Sequence, residues 1–116
     1  MSNFKNIFKF KRGDVYLVEE HQVQGHEQKK TRPWVLVGAT PMNSGRGTAI
    51  AVPLSTRAKE IPGLSIKVYL NNTMVCAIID QLRALDKKRF IHFEGVLSAH
   101  EMNLIDDGLR QVLALS

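Results

Sequence analysis

Cysteine is almost absent from this sequence, and its scarcity excludes several classes of protein. Cys76 is the single cysteine among 116 residues, so the chain can form no internal disulfide. A zinc site with two or more thiolate ligands is excluded for the same reason, and His92 and His100 are not spaced as a metal-binding pair. We therefore expect a protein of the reducing cytoplasm that uses no metal ion and no cofactor.

Long uncharged apolar runs are also absent. The first residues mix phenylalanines with basic side chains, which excludes the apolar segment of a signal peptide, and no later segment is suited to span a membrane. We expect residues 1–11 to form a basic N-terminal extension that packs a phenylalanine or two on the domain. The alternative is a basic arm that contacts RNA.

Proline and glycine are few, with 4 and 8 residues, which argues against extended disorder. A chain of 116 residues has room for one compact domain, and no change in composition or internal repeat divides it. We therefore expect a single domain over residues 1–116.

Acidic residues are outnumbered, with 11 Asp and Glu against 16 Lys and Arg. The resulting net charge of +5 favours polyanionic partners, because Lys and Arg gain free energy by releasing counterions from phosphates. Nucleic acid is therefore the first partner to consider, although many basic proteins bind none.

Short apolar runs separated by turn residues predict a mainly β fold of five or six strands. Pro53, near the end of one run, suggests an edge strand or the mouth of a barrel. Residues 41–47 and the long segment 19–31 are expected to be polar turns or loops. The expected strands are residues 14–18, 32–37, 48–54, 64–70 and 74–79, the last continued by 80–85.

A single helix is predicted at the C-terminus. Ser98 and Glu101 form a capping box, and Met102, Ile105 and Leu109 then recur at helical spacing. Several short strands followed by one helix predict a small barrel or half-barrel with the helix packed on one face.

One loop concentrates the residue types that metal-free RNA cleavage requires. Such cleavage needs a base, an acid and cations for the developing charge, and residues 25–33 contain His, Glu, Gln, Lys and Arg. Arg32 begins a predicted strand, so its guanidinium fork could hold phosphate oxygens in a fixed direction. The alternative interpretation is an ordinary strand-end arginine paired with a carboxylate.

Four motifs in order resemble the MazF/PemK family of toxin endoribonucleases. The resemblance covers nearly the whole chain from Lys11, and it implies an SH3-like barrel of the CcdB/PemK type, a C-terminal helix and a two-fold homodimer. The motifs are Arg12-Gly13-Asp14-Val15-Tyr16, Gly25-His26-Glu27-Gln28 with Arg32-Pro33, Pro53-Leu54-Ser55-Thr56, and Asp80-Gln81-Leu82-Arg83-Ala84-Leu85-Asp86.

The resemblance also implies an activity. Members of the family cleave single-stranded RNA at short sequences without a metal ion and leave a 2′,3′-cyclic phosphate and a 5′-hydroxyl. The expected function is thus that of a toxin that inhibits translation until a cognate antitoxin covers its site. A toxin–antitoxin complex on operator DNA is a possible further assembly.

Site residues follow from the motif positions. Arg32 corresponds to the family's catalytic arginine, and Ser55 stands where the family usually has a catalytic threonine. His26 and Asp80 match catalytic positions of the PemK branch, but Ile78 replaces the arginine that this branch places two residues before the aspartate. We therefore place Arg32 and Ser55 ahead of a His26/Asp80 acid–base pair.

The hypothetical roles follow from acid–base chemistry. A guanidinium is a poor proton acceptor and a good stabiliser of a phosphorane, which makes Arg32 a transition-state clamp, with Ser55 as a phosphate donor. His26 is the better proton shuttle because imidazole titrates near neutral pH. The residues expected to bind RNA are Glu27, Gln28, Lys29, Lys30, Thr56, Arg57, Gln81 and Arg83.

Two other functions remain open. Toxins of the CcdB type share the barrel but poison DNA gyrase by binding. A non-catalytic RNA-binding barrel would also account for the basic charge. The motif from Gly25 to Pro33 favours the nuclease.

Overall fold

The structure is a computed structural model, in which residues 8–20 and 30–116 are described. Seven strands and two α-helices follow one another along this part of the chain. The strands are β1 (Asp14–Glu20), β2 (Lys30–Leu36), β3 (Thr48–Ser55), β4 (Ser65–Leu70), β5 (Thr73–Ile78), β6 (Arg83–Asp86) and β7 (Phe90–Val96), and the helices are α1 (Thr40–Gly45) and α2 (Ala99–Val112).

The strands form one antiparallel sheet in the order β4-β5-β3-β2-β1-β7, and β6 pairs with β3 beside this path. The prediction of a mainly β fold with a C-terminal helix is confirmed. The sheet does not close by strand pairing, although the β4–β5 turn reaches β7 through Asn71 Nδ2, which donates to the Glu94 carbonyl at 3.2 Å.

Three predictions about which segments form strands, helices or turns were wrong. The polar segment 41–47 contains most of α1, with Pro41 in its first turn, where a missing N–H costs nothing. Strand β7 was not predicted, because its side chains do not alternate cleanly and its pairing with β1 contains two register shifts.

The third error concerns residues 80–85, which do not continue β5. Ile79–Gln81 form a 3-10 turn, and the chain re-enters the sheet at Arg83 as β6. The turn is needed because β3 changes partner along one edge, from β6 at Thr48–Ala51 to β5 at Leu54 and Ser55.

Pro53, which has no N–H, lies where β3 changes partner. Its strand has neighbours on both sides, so the expectation of an edge strand was wrong. Pro53 does lie two positions before the end of β3, close to the end of the sheet, as the other expectation, the mouth of a barrel, requires.

Alternating side chains of the central strands supply two apolar cores. Val35, Val52 and Leu54 face one core, which α2 covers with Met102 and Ile105. Side chains of opposite parity face the other core, among them Tyr16, Val18, Trp34, Leu36, Ala51 and Phe90. Trp34 is 3% exposed, which confirms its assignment to the core.

The residues before β1 close the second core. Phe10 is buried and stacks on Tyr16 with ring centroids 5.4 Å apart, and Phe8 packs against both. The prediction that the N-terminal extension packs phenylalanines on the domain is thus confirmed for its described part. Gly13 adopts a φ of +94° where the chain turns into β1, a conformation that favours glycine.

Helix α2 begins as its sequence predicted. The Ser98 hydroxyl accepts a hydrogen bond from the Glu101 N–H at 3.2 Å, which caps the first turn. A Cβ atom at Gly108 would lie 3.1 Å from Ile66 and 3.2 Å from Ile79, so glycine permits close packing of the helix on the sheet. Of the helices in residues 8–20 and 30–116, none has the length and apolar content of a membrane span.

Candidate active site

Arg32 and Ser55 lie at the same end of neighbouring strands. The last registered pair between β2 and β3 at this end is Trp34 with Pro53, and each site residue stands two positions beyond it. Side chains two positions apart on a strand leave the same face. Both side chains therefore project from the face that carries Trp34, at the end of the second core. We call this end of the sheet, between Arg32 and Ser55, the Arg32–Ser55 mouth.

The guanidinium of Arg32 is held by a residue that the sequence analysis did not select. Its Nε lies 3.5 Å from Oε1 of Glu20, and the two side chains are 38% and 23% exposed. Glu20 ends β1 and pairs with Lys30, so it approaches Arg32 diagonally across the sheet. The strand-end arginine is thus paired with a carboxylate, as the alternative interpretation expected.

This pairing leaves most of the guanidinium available. Within the described part of the chain, the two terminal NH2 groups of Arg32 have no hydrogen-bond partner, and the Nε contact is long for a hydrogen bond. Glu20 therefore orients the fork without occupying it. The predicted β1 ended at Val18, two residues too early. Had the alternation of side chains been extended to Glu20, it would have put Glu20 on the same face as Val18.

The Ser55 hydroxyl is organised as a donor. Its Oγ accepts hydrogen bonds from the N–H groups of Arg57 and Ala58, both at 3.1 Å, which closes the turn after β3. A hydroxyl has two acceptor lone pairs and one proton. Because backbone donors use the lone pairs, the proton remains free to donate to a ligand. Thr56 is exposed in the turn beyond the strand.

Asp80 and its neighbours lie farther along the sheet. Ser55 pairs with Cys76 of β5, whereas Asp80 follows the end of that strand in the 3-10 turn. Arg83 pairs with Ala51, on the order of 13 Å from Ser55 along β3 at the usual rise per residue.

The other predicted site residues divide into two groups. Lys30, Arg57, Gln81 and Arg83 are exposed, and Lys30 and Arg57 lie beside the Arg32–Ser55 mouth. His26, Glu27, Gln28 and Lys29 lie outside the described residues. The structure thus brings Arg32, Ser55, Lys30, Thr56 and Arg57 to one end of the sheet and puts Gln81 and Arg83 away from it.

A family model decides the relationship of this chain to known proteins. The model for the PemK-like, MazF-like toxin of type II toxin-antitoxin systems matches residues 11–113. The chain belongs to this family. The resemblance of the sequence motifs is therefore confirmed, and the protein is a MazF-like toxin of a toxin–antitoxin system.

Solved structures share the fold of this toxin. A MazE–MazF structure from Deinococcus radiodurans superimposes with a TM-score of 0.82 at 22% identity and covers 94% of this chain and 99% of that chain. An endoribonuclease from a mycobacterial species gives 0.74 at 23% identity, with 90% and 91% covered. The Mycobacterium tuberculosis toxin MazF-mt6 gives 0.71 at 11% identity, with 89% and 98% covered.

Proposed function

We propose that the toxin is an endoribonuclease that cleaves single-stranded RNA at short sequences without a metal ion and thereby inhibits translation. The observation that supports this most is the placement of Arg32 and Ser55 at neighbouring strand ends, both with free donors. A similar mycobacterial structure is named an endoribonuclease.

The proposed reaction needs only groups of the RNA and the chain. The 2′-hydroxyl attacks the adjacent phosphorus while a base removes its proton. The bond from phosphorus to the 5′-oxygen breaks, and an acid protonates that oxygen. The products are a 2′,3′-cyclic phosphate and a 5′-hydroxyl, and no water enters the balance.

Arg32 and Ser55 stabilise the charge of this reaction. The guanidinium fork binds two non-bridging oxygens as negative charge develops on them, and the Ser55 hydroxyl donates to the same phosphate. Glu20 aligns the fork and touches no phosphate. His26 is the proposed proton shuttle, and Asp80 is the second candidate for proton transfer.

RNA binding extends from this mouth. Lys30, Thr56 and Arg57 are exposed beside it and are suited to bind the phosphates on either side of the cleaved bond. Gln81 and Arg83, farther along the sheet, would read base edges of an unpaired strand. Glu27, Gln28 and Lys29 complete the proposed set from the β1–β2 connection.

The proposed partners follow from the family and the similar structures. A structure of MazE with MazF supports a cognate antitoxin for this toxin. We also propose that the chain folds as one domain with a basic extension over residues 1–11, acts as a homodimer in the cytoplasm, and joins its antitoxin on operator DNA.

The decisive experiment is incubation of the purified toxin with a long unstructured RNA in excess EDTA. We expect discrete fragments with 5′-hydroxyl and cyclic phosphate ends, and mapping of the 5′ ends would give the cleavage sequence. Arg32→Ala should abolish the fragments, while Arg46→Ala, an exposed arginine at the end of α1, should leave them unchanged.

The other two functions predict different results. A non-catalytic RNA-binding barrel would retain the RNA and release no fragments. A CcdB-like toxin would leave RNA intact and inhibit DNA gyrase in a supercoiling assay. Either result would refute the nuclease.

A further inference from the structure

A cleft lies at the opposite end of β1 from Arg32. It has a volume of about 590 Å³ and opens between the residues before β1 and the edge strand β7. This volume is within the range of small-molecule sites. Asp14, which pairs with Val96, marks this end of β1, whereas Arg32 pairs with Val18 near the other end. The cleft is therefore separate from the proposed catalytic mouth.

Two aromatic rings line the cleft, each in contact with the ring of Tyr16. The Phe8 ring centroid is 5.0 Å from that of Tyr16, and the Phe93 centroid is 5.5 Å from the same ring. Among the described residues Phe8 and Phe93 have no ring contact with each other, and Phe93 is 45% exposed. The exposed part of the Phe93 ring is therefore available to stack on a flat, apolar group in the cleft.

A buried carboxylate also lines this cleft. Asp14 is 6% exposed, and its Oδ2 accepts hydrogen bonds from the Lys11 N–H at 2.9 Å and the Tyr16 hydroxyl at 3.0 Å. Its Oδ1 has no hydrogen-bond partner in the described part of the chain. Asp14 lines the cleft, and an ionised carboxylate can accept about four hydrogen bonds, so this position favours a ligand with an N–H donor.

The rim of the cleft is cationic. The ammonium groups of Lys9 and Lys11 have no partner within residues 8–20 and 30–116, whereas Arg12 is paired with Asp106. The two lysines are therefore available to an anion. A ligand that satisfies the whole cleft combines a flat ring, an amino group and a negative charge.

We propose that the cleft binds one nucleotide of a single-stranded RNA as an anchoring subsite. The base enters the cleft and stacks on Phe93, an exocyclic amino group donates to Asp14 Oδ1, and Lys9 and Lys11 bind the phosphate. Adenine, cytosine and guanine fit better than uracil, whose N–H lies between two carbonyl oxygens that a carboxylate repels.

This subsite rests on the proposed function, because RNA is the ligand of both. It also adds to that function, since Phe8 and Lys9 precede the residues 11–113 that the family model matches. The anchoring contact is therefore built partly by the N-terminal extension of this chain. An acidic peptide fits less well, because its carboxylates would meet Asp14.

The test uses labelled 2′-O-methyl oligonucleotides of five adenosines or five uridines, which cannot be cleaved, with binding measured by fluorescence anisotropy. The toxin should bind the adenosine oligonucleotide more tightly. Phe93→Ala should weaken that binding about fivefold to a hundredfold, the usual effect of removing one stacking ring. Ile91→Ala is the matched control, because Ile91 is 46% exposed on the same strand and does not line the cleft.

The contribution of the rim lysines to RNA binding is tested with the same assay. Lys11→Gln should weaken binding and reduce its salt dependence, while Lys67→Gln, an exposed lysine of β4, should change neither. Equal effects of Phe93→Ala and Ile91→Ala, or equal affinity for the two oligonucleotides, would overturn the subsite. So would a poly-glutamate peptide whose binding needs Phe93 while RNA binding does not.

The two proposals fail separately. If unmodified RNA is cleaved but Phe93→Ala binds RNA like the unchanged toxin, the subsite is wrong and the nuclease stands. If no RNA is cleaved but the binding differences appear, the nuclease is wrong and the subsite stands.

Discussion

Arg32 and Glu20 form a diagonal ion pair across β1 and β2, with Nε and Oε1 3.5 Å apart, at the strand ends nearest to Ser55. The pair fixes a guanidinium whose terminal NH2 groups stay open to a ligand. Four predictions follow from this site and from the core beneath it, and each can be checked on the purified toxin.

Arg32→Lys should lower the single-turnover cleavage rate about a hundredfold to a thousandfold, as the loss of one transition-state donor does in other enzymes. Lysine retains the charge but lacks the planar fork that binds two phosphate oxygens. RNA affinity, measured on a non-cleavable strand, should fall far less than the rate. Equal losses in both measurements would make Arg32 a binding residue only.

Glu20→Gln should lower the cleavage rate about twofold to fivefold, because a half-exposed ion pair contributes roughly 0.2–1 kcal/mol to the alignment of the guanidinium. The measurement is a double-mutant cycle with Arg32→Ala. Once Arg32 is absent, the Glu20 change should have no further effect on any residual cleavage. An independent effect would show that Glu20 acts on the RNA itself.

Ser55→Ala should lower the cleavage rate and also destabilise the turn after β3 by about 1 kcal/mol, because two backbone N–H groups lose their acceptor. Ser55→Thr should restore both the rate and the melting temperature, since threonine retains the hydroxyl. A threonine variant that is stable but inactive would show that the hydroxyl is not the catalytic donor.

Because of Tyr16, the stability of the fold should depend on pH in the alkaline range. Burial raises the pKa of its phenol well above the ordinary value of about 10, and the Phe10 N–H and Asp14 contact the same oxygen. The unfolded chain therefore loses this proton before the folded one, so the stabilisation is complete below about pH 10 and is lost as the pH rises further.

The corresponding measurement is urea unfolding at about pH 9 and about pH 11. The free energy of unfolding should fall between these values, and Tyr16→Phe should show a smaller fall from a lower starting stability. Lys87 acts in the opposite direction, because desolvation lowers its pKa and stability then rises with pH as it deprotonates. An identical fall in Tyr16→Phe would remove the phenol as the cause.

Patterns within short windows predicted much of this molecule. The capping box at Ser98, the buried place of Trp34 and the strands around β1, β3, β4 and β5 were correct, because the spacing of apolar side chains reports which face is buried. The irregular β7 and the turn at Ile79–Gln81 were missed, since neither follows one period for a full strand.

The candidate site, like the fold, was predicted only in part from the sequence. The sequence by itself determined the residue types, the motifs of the toxin family and the strand that Arg32 begins, and it ended the next strand at Leu54, one residue before Ser55. Only the tertiary structure decided that these strands are neighbours in this register, that Glu20 orients Arg32, and that Phe8, Asp14 and Phe93 line one cleft. Such contacts join residues far apart in the chain, and strand order and register, which no local pattern contains, determine which of them meet.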